Sequence, residues 1–163
     1  LYDDLRTTEL TAGTWPIRLS NGLRGNSWGV EAWATHQLAS WWQLKVDFAT
    51  LSKNFKEKDG HSDITAGAAL GNDPGYRLIA RSQIEVAPNI DLDFGIRAID
   101  DLRRPAVASY IEADARLGWR LSNNLEFFVA AMNMLREKHD ESAYRNGGQL
   151  EERSAYAGTR LIF

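Results

Sequence analysis

A two-residue period of apolar side chains constrains this chain more than any other feature, and it is clearest between Tyr110 and Arg120. The odd-numbered residues there carry no charge: Ile111, Ala113, Ala115, Leu117 and Trp119. The even-numbered residues include four charges: Glu112, Asp114, Arg116 and Arg120. Because successive side chains of a strand point to opposite faces, this pattern predicts a β-strand with one apolar and one charged face. Helical spacing of apolar residues is hard to find anywhere in the chain.

The same alternation recurs along the whole chain and predicts about eight strands. They cover residues 1–8, 28–35, 42–48, 77–86, 90–98, 110–120, 125–135 and 153–163. Short turns are predicted at residues 39–40, 87–89 and 122–124, and longer polar loops at 9–21, 53–75, 100–108 and 136–152. Short turns at one end and long loops at the other are typical of a transmembrane β-barrel. We therefore expect an all-β fold, the antiparallel up-and-down wall of such a barrel.

Composition excludes several other classes of protein. The 163 residues contain 19 basic and 22 acidic side chains, and this balance argues against a broadly basic nucleic-acid binder. The absence of cysteine rules out a disulfide scaffold and a thiolate zinc site. No stretch approaches the roughly 20 consecutive apolar residues that a membrane-spanning helix needs.

The two faces of the strands predict which side meets lipid. The charged face mixes both signs at matched positions, as expected of groups that share a wet lumen, and the apolar face is rich in Ala and Thr. The predicted lumen charges are Arg77, Arg81, Arg97, Glu112, Asp114, Arg116 and Arg160. Aromatic residues near the short-turn ends predict an interfacial girdle: Trp41, Trp42, Trp119 and Phe163. A soluble sandwich or lipocalin-like barrel also explains the alternation.

Three sequence patterns resemble catalytic or metal-binding motifs, and each is better explained by a structural role. The segment 25–29 fits a nucleophile-elbow pattern, but it leads into an alternating strand where the elbow needs a helix. His61 with Asp63, and His139 with its acidic neighbours, lack the three-ligand set of a catalytic zinc site. Carboxylates two apart on a strand share their face with Arg97 or Arg116, which favours salt bridging over glycosidase chemistry. The sequence predicts no catalytic, cofactor or metal residues and no enzyme.

The long loops supply the candidates for contact with a substrate, because aromatic and arginine side chains commonly anchor ligands. These candidates are Trp15, Asp100, Asp101, Arg103, Arg104, His139, Tyr144 and Arg145. The lumen arginines have two possible roles, which the sequence does not separate. They either attract an anionic chelate or neutralise the lumen carboxylates.

Several loose motifs, in order, carry a resemblance to a known family. They are Tyr2-Asp3-Asp4-Leu5-Arg6, Asn21-Gly22-Leu23-Arg24-Gly25, Gly71-Asn72-Asp73-Pro74, the strand 110–120, Met132-Asn133-Met134-Leu135, and a closing strand that ends on Phe163. Together they make the chain similar to the C-terminal barrel segment of a TonB-dependent outer-membrane receptor. The family usually has Gly-Gln-Asn-Leu where this chain has Ala131-Met132-Asn133-Met134.

The resemblance implies a barrel of about 22 strands that is plugged by an N-terminal domain. Residues 1–163 are then a single barrel segment without the plug, and they supply wall, lumen surface and four outer loops. The implied function is uptake of a scarce ligand, such as a ferric siderophore, across the outer membrane of a Gram-negative cell. The implied partners are outer-membrane lipid, the barrel-assembly machinery that reads the strand ending on Phe163, and an energising inner-membrane complex that acts through the plug.

Two other functions remain open at the level of the sequence. A self-contained eight-stranded outer-membrane barrel has an interior just wide enough for side chains, so its role is structural or adhesive. A soluble β-barrel binds a small molecule in its interior. If the chain leaves two open sheet edges, edge-to-edge self-association is also expected.

Overall fold

The computed structural model describes residues 1–11, 14–65, 67, 70–103, 106–141 and 150–161. Antiparallel β structure dominates these residues. The strands are β1 (Tyr2–Thr11), β2 (Thr14–Ala39), β3 (Trp42–Glu57), β4 (Tyr76–Ala87), β5 (Ile90–Ile99), β6 (Leu102–Arg103), β7 (Ala106–Val107), β8 (Tyr110–Ser122), β9 (Leu125–Met132), β10 (Lys138–Asp140), β11 (Leu150–Glu152) and β12 (Ser154–Leu161). In these ranges, no helix is long and apolar enough to cross a membrane.

Eight of the strands form one sheet, in which each strand pairs with its nearest long neighbour along the chain. The order is β1-β2-β3-β4-β5-β8-β9-β12, and every pairing is antiparallel. The remaining strands form two small ribbons, β6–β7 and β10–β11, inside two of the long connections. The predicted all-β, up-and-down sheet of about eight strands is therefore confirmed. Within the described ranges, β1 and β12 are its two edges.

The register of the sheet aligns like residues into two continuous faces, because directly paired residues lie on the same face. One row runs through Ile84, Leu92, Leu117 and Val129. The next row, on the opposite face, runs through Gln83, Asp93 and Arg116. We call these the apolar face and the polar face. Side chains of the apolar face are widely exposed, with Leu117 at 49% and Val129 at 56%.

The short turns lie together at one end of the sheet, as the sequence predicts. They connect β2 to β3 at residues 40–41, β4 to β5 at 88–89 and β8 to β9 at 123–124. Asn89 adopts φ 70°, the left-handed conformation that asparagine tolerates in a tight turn. The Trp41 and Asn89 carbonyls accept hydrogen bonds from the Glu85 and Arg120 amides, both at 2.8 Å. The β2–β3 turn is thereby tied to β4, and the β4–β5 turn is tied to β8.

The predicted loop at residues 9–21 is wrong, because these residues lie in a β1–β2 hairpin with only residues 12–13 between its strands. Trp15 and Pro16 sit where the register shifts between the pairs Leu10–Ile17 and Thr11–Thr14. Proline is tolerated at such an irregularity because no ladder amide is needed there. Gly22 also belongs to β2. A larger residue would not fit there, because a Cβ would lie 2.6 Å from the His61 side chain.

The other long connections contain fewer loop residues than the sequence predicts. Residues 53–57 extend β3, and the ribbons β6–β7 and β10–β11 occupy parts of 100–108 and 136–152. β1 pairs with β2 only from Gly25 towards Thr14, whereas β4 begins at Tyr76, opposite Thr50. The β1–β2 hairpin therefore extends beyond the level at which β4 starts. Nearer the short turns, residues 26–39 of β2 pair with β3, and no other described strand lies beside them.

Candidate functional site

Arg97 on β5 gathers polar groups from three other parts of the chain on the polar face. Its guanidinium donates to Asp114 on β8 at 2.8 Å and to Glu141, just after β10, at 2.7 Å. It also donates to the Asn133 side-chain oxygen at 2.6 Å. We call Arg97, Asp114, Asn133 and Glu141 the Arg97 cluster. The cluster ties the connection after β9 to the wall of the sheet.

Asn133 is a member that the sequence analysis missed as a functional residue. It follows β9 directly and adopts φ 55°, a left-handed conformation that asparagine reaches more easily than most residues. Its amide donates to Asp114 at 2.9 Å and its side-chain nitrogen donates to the Glu152 carbonyl at 3.2 Å. The predicted strand 125–135 is too long at this end, because β9 ends at Met132. An asparagine between Met132 and Met134 is the sequence signal that could have marked this end.

Glu112 and His139 form a buried pair beside the Arg97 cluster. The Glu112 side chain is 0% exposed and the His139 side chain 3% exposed, and Glu112 Oε1 lies 3.4 Å from His139 Nδ1. His139 Nε2 lies 2.9 Å from Glu141 Oε1, and the His139 ring packs 4.7 Å from the Tyr110 ring centroid. The Leu135 amide donates to Glu112 Oε2 at 3.0 Å. The β10–β11 ribbon is thereby seated on β8 by a histidine between two carboxylates.

The other predicted lumen arginines fall into two groups. Arg116 pairs with Glu126 and lies 3.6 Å from Asp93, and Arg160 reaches Glu126 at 3.4 Å. Arg77 and Arg81 are exposed and form no ion pair with any residue that the structure describes. Neutralisation of neighbouring carboxylates therefore accounts for Arg97, Arg116 and Arg160. It does not account for Arg77 and Arg81.

A groove of about 790 Å³ opens at the long-connection end of the sheet, where β3 continues beyond the start of β4. Its wall includes Trp28, Lys53, Asp73, Tyr76, Asp100, Asp101 and Arg103. Lys53 pairs with Asp73 and donates to the Gly71 carbonyl at 2.9 Å. Trp28 and Tyr76 lie on the apolar face by register, in line with Ser52 and Thr50. The carboxylates and the two cations of the groove can hold a polar ligand by hydrogen bonds.

Backbone contacts fix the shape of this groove. The Leu51 amide and the Thr50 hydroxyl both donate to the Gly75 carbonyl, at 3.0 and 2.8 Å. Gly75 lies close to Asp100, since a Cβ at position 75 would lie 2.6 Å from Asp100 Oδ2 and that side chain would have to shift. The Arg103 amide donates to the Asn72 side chain at 3.2 Å. The connections before β4 and after β5 are therefore held against each other and against the edge of β3.

The structure brings together only some of the predicted substrate-contact residues. Asp100, Asp101 and Arg103 line the groove, whereas His139 lies beside the Arg97 cluster. Trp15 is exposed near the start of β2, outside both regions. Arg104, Tyr144 and Arg145 lie outside the described residues. The sequence analysis missed Trp28, Lys53 and Asp73, which the strand register and the β3–β4 connection bring into the groove.

The predicted girdle residues lie at the short-turn end of the sheet, with the exception of Phe163, which is outside the described residues. Trp41 and Trp42 stack with ring centroids 5.9 Å apart. Trp42 also donates to the Ser82 hydroxyl at 2.8 Å. Trp119 packs against Phe127 at 6.5 Å. Amphipathic rings at one level of a sheet are typical of residues at a membrane–water interface.

Ser27 of the elbow-like segment lies within β2, and its hydroxyl donates to the Tyr2 hydroxyl at 3.3 Å. No group of three or more His, Asp or Glu side chains in the described part of the chain is placed to hold a metal ion.

The connection after β3 is anchored to β1 by Asp63. This buried carboxylate accepts hydrogen bonds from the Thr8 amide at 2.9 Å, the Gly67 amide at 2.6 Å and the Thr65 hydroxyl at 2.8 Å. Burial alone would raise the pKa of Asp63, but these hydrogen bonds outweigh it and lower the pKa below its ordinary value. The anchor therefore requires the ionised carboxylate.

We expect the substitution Asp63→Asn to loosen this connection, because an amide offers one acceptor oxygen where the carboxylate offers two. Hydrogen exchange of the Thr8 and Gly67 amides should accelerate about tenfold. Because the folded-state pKa of Asp63 is lowered, protection is present above about pH 4 and is lost as the pH falls further. Asp59→Asn, an exposed position in the same connection, is the control. Equal exchange in both variants would contradict the anchor.

Comparison with known proteins finds similarity at the level of the fold. No protein-family model matches the chain, and no curated protein matches its sequence. The closed form of the ferric-catecholate import receptor Fiu from E. coli K12 superposes with a TM-score of 0.68 at 18% identity, covering 99% of this chain and 24% of Fiu. Its open form gives a TM-score of 0.60 at 16% identity, over 85% of this chain and 21% of Fiu.

The copper transporter OprC is also similar in fold. It superposes with a TM-score of 0.63 at 12% identity and covers 99% of this chain and 28% of OprC. The chain therefore spans about a quarter of the length of the structures that it matches. At these identities, the likeness shows a shared barrel-wall fold.

Proposed function

We propose that the chain is a section of the barrel wall of an outer-membrane transport protein of the TonB-dependent receptor class. The observation that carries this proposal is the sheet itself, in which an exposed apolar face backs onto a charged face over seven consecutive pairings. Its fold matches those of a ferric-catecholate import receptor and a copper transporter over nearly the whole chain. The function is transport and not catalysis.

The exposed apolar face supports a lipid-facing orientation. An antiparallel sheet in water buries its apolar face against a second layer, whereas a transmembrane barrel turns that face towards the hydrocarbon. Phe94, Ile96, Ile111 and Leu117 are all between 40% and 49% exposed on this face. Burying them in lipid removes the cost of their exposure to water, at about 25 cal/mol for each Å² of apolar area. This arrangement is favoured over the soluble barrel.

The open edges of the sheet favour a section of a larger barrel over a self-contained one. In the described ranges, β12 pairs with β9 and residues 26–39 of β2 pair with β3. At bilayer depth, an unpaired strand edge costs several kcal/mol for each unsatisfied group. The proposal therefore places further strands beside these edges. A second copy of the chain is the other way to cover them, by edge-to-edge association.

The polar regions fit a passage for a polar solute. The polar face lines the interior of the proposed barrel, and the groove that contains Lys53, Asp100 and Arg103 opens at the long-connection end. Arg77 and Arg81 add positive charge to the interior without a carboxylate partner among the described residues. We propose a chelated metal ion, such as a ferric siderophore, as the ligand class. The assembly machinery and an energising inner-membrane complex are the proposed partners.

Uptake by cells tests this function. Deletion of the gene for the full-length protein should reduce uptake of a labelled ferric-catecholate chelate or of copper(II) at limiting concentration, and a plasmid copy should restore it. Dissipating the inner-membrane proton gradient should have the same effect as deletion. Unchanged uptake of both probes after deletion would contradict the proposal. Equal uptake with and without the gradient would contradict the TonB-dependent class.

A further inference from the structure

The β10–β11 ribbon is held on the polar face through few side chains, and the central one is titratable. His139 on β10 contacts Glu112 and Tyr110 of β8, and Glu141 reaches Arg97 of β5. On the ribbon itself, Glu151 of β11 lies directly opposite His139. These are the charged and titratable groups that face the imidazole. Apart from Arg97, which is already paired with two carboxylates, the charged groups among them are acidic.

The two ring nitrogens of His139 both face carboxylate oxygens. Nδ1 lies 3.4 Å from Glu112 Oε1 and Nε2 lies 2.9 Å from Glu141 Oε1. Ionised carboxylates only accept hydrogen bonds, and a neutral imidazole carries one N–H donor while the imidazolium carries two. Only the charged ring can therefore donate towards both carboxylates. A neutral ring leaves one of them facing a lone pair.

In the part of the chain that the structure describes, Glu112 Oε1 has no other hydrogen-bond partner. Glu112 Oε1 and His139 Nδ1 are fully buried and make no hydrogen bond of good geometry in the structure. Oε2 is already used by the Leu135 amide at 3.0 Å. An ionised carboxylate without a donor is costly at a site closed to water. One proton, on the His139 ring or on the Glu112 carboxyl, therefore decides whether this contact is satisfied.

Glu141 is held in its ionised form. Burial alone would raise its pKa, but hydrogen bonds from Arg97 and His139 outweigh burial and lower the pKa below its ordinary value. Protonation of Glu141 is therefore not available to relieve a neutral His139 at neutral pH.

From this geometry we infer that the β10–β11 ribbon is a proton-dependent latch, docked on the barrel wall when the Glu112–His139 contact holds a proton and released when it does not. Docking takes up a proton, so the docked state is favoured at low pH and is lost as the pH rises. Release moves the described strands of the ribbon, β10 and β11, away from the polar face. It does not depend on which solute the barrel transports.

Electron-spin distance measurements in the full-length protein test the latch. The chain has no cysteine, so labels are introduced by Asp140→Cys on the ribbon and Gln83→Cys on β4, with any cysteine elsewhere replaced. At about pH 5 we expect one narrow distance distribution. At about pH 8 a second, broader population should appear, and the ratio of docked to released ribbon should fall about tenfold or more.

Two variants separate the latch from a general effect of pH. Glu112→Gln should keep the ribbon docked at both pH values, because its amide donates to the unprotonated Nδ1 while Nε2–H donates to Glu141. His139→Gln, which cannot gain a proton, should give the same distribution at both pH values. His61→Gln is the control, since His61 lies in the β3–β4 connection and faces Glu9 of β1. The inference is overturned if the unmodified ribbon shows one distribution at both pH values, or if Glu112→Gln responds to pH as the unmodified protein does.

Discussion

Replacement of Phe94 by arginine is expected to destabilise the protein in a bilayer by about 2 to 4 kcal/mol, the cost of a charged side chain at the middle of a lipid-facing strand. Phe94 is near the centre of β5 and pairs with Ser82 on one side and Ala115 on the other, all on the apolar face. In the proposed orientation, its side chain lies in hydrocarbon. An arginine there has no described carboxylate on the same face to pair with.

The free energy is measured by equilibrium unfolding of the full-length protein in lipid vesicles with guanidinium. The matched control is Gln83→Arg, one residue away from Ser82 on β4 and on the polar face, opposite Asp93. That change should cost less than about 1 kcal/mol, because an exposed polar position tolerates a charge. If the two variants lose the same stability, or if Gln83→Arg loses more, the assignment of the faces is wrong.

Truncation of Arg97 to alanine should cost about 2 to 3 kcal/mol, the second largest effect that we expect. The change leaves Asp114, Glu141 and the Asn133 side chain without their shared donor. Two of these partners are carboxylates, and leaving a partly buried charge unpaired costs more than the pair contributes when intact. Partial solvent access to the cluster keeps the loss below that of a fully buried pair.

Arg77→Ala provides a control on the next strand. Arg77 lies on the polar face of β4 but is exposed and forms no ion pair in the described part of the chain. Its truncation should change the free energy of unfolding by less than about 0.5 kcal/mol. Hydrogen exchange in residues 133–141 should accelerate in the Arg97 variant alone. Equal losses in the two variants would show that the Arg97 cluster is not a specific tie between the wall and the β9–β12 connection.

Alternation in the sequence was sufficient to predict the wall of the sheet. It placed β5 and β8 within a few residues of their observed bounds and assigned Arg97, Glu112, Asp114 and Arg116 to one face. Short turns were equally predictable, because Asn89 and Asn123 belong to residue types that favour tight turns. These features depend on local geometry, which neighbouring residues determine.

The β1–β2 extension was not predictable in the same way. Its glycine and proline, which usually mark loops, are there because of contacts with residues distant in sequence. Gly22 accommodates His61 and Pro16 lies in a register shift, whereas both residue types usually indicate a loop. The same holds for Lys53 and Asp73, whose pairing depends on the path of the β3–β4 connection. The contact between Arg97 and Asn133 depends on the positions of β5 and β9 on either side of β8, which the sequence does not show.

The strictly sequential strand order has a consequence for how such a protein is built. Each long strand pairs with the nearest long strands before and after it in the chain, so the sheet needs no crossover connection between distant segments. A hairpin can therefore be inserted or deleted, and the remaining strands need not be rethreaded. Loops between sequential strands also close at low entropic cost, which allows hairpins to be added one after another at a growing edge. In evolution and in assembly alike, the unit of change in this fold is the hairpin.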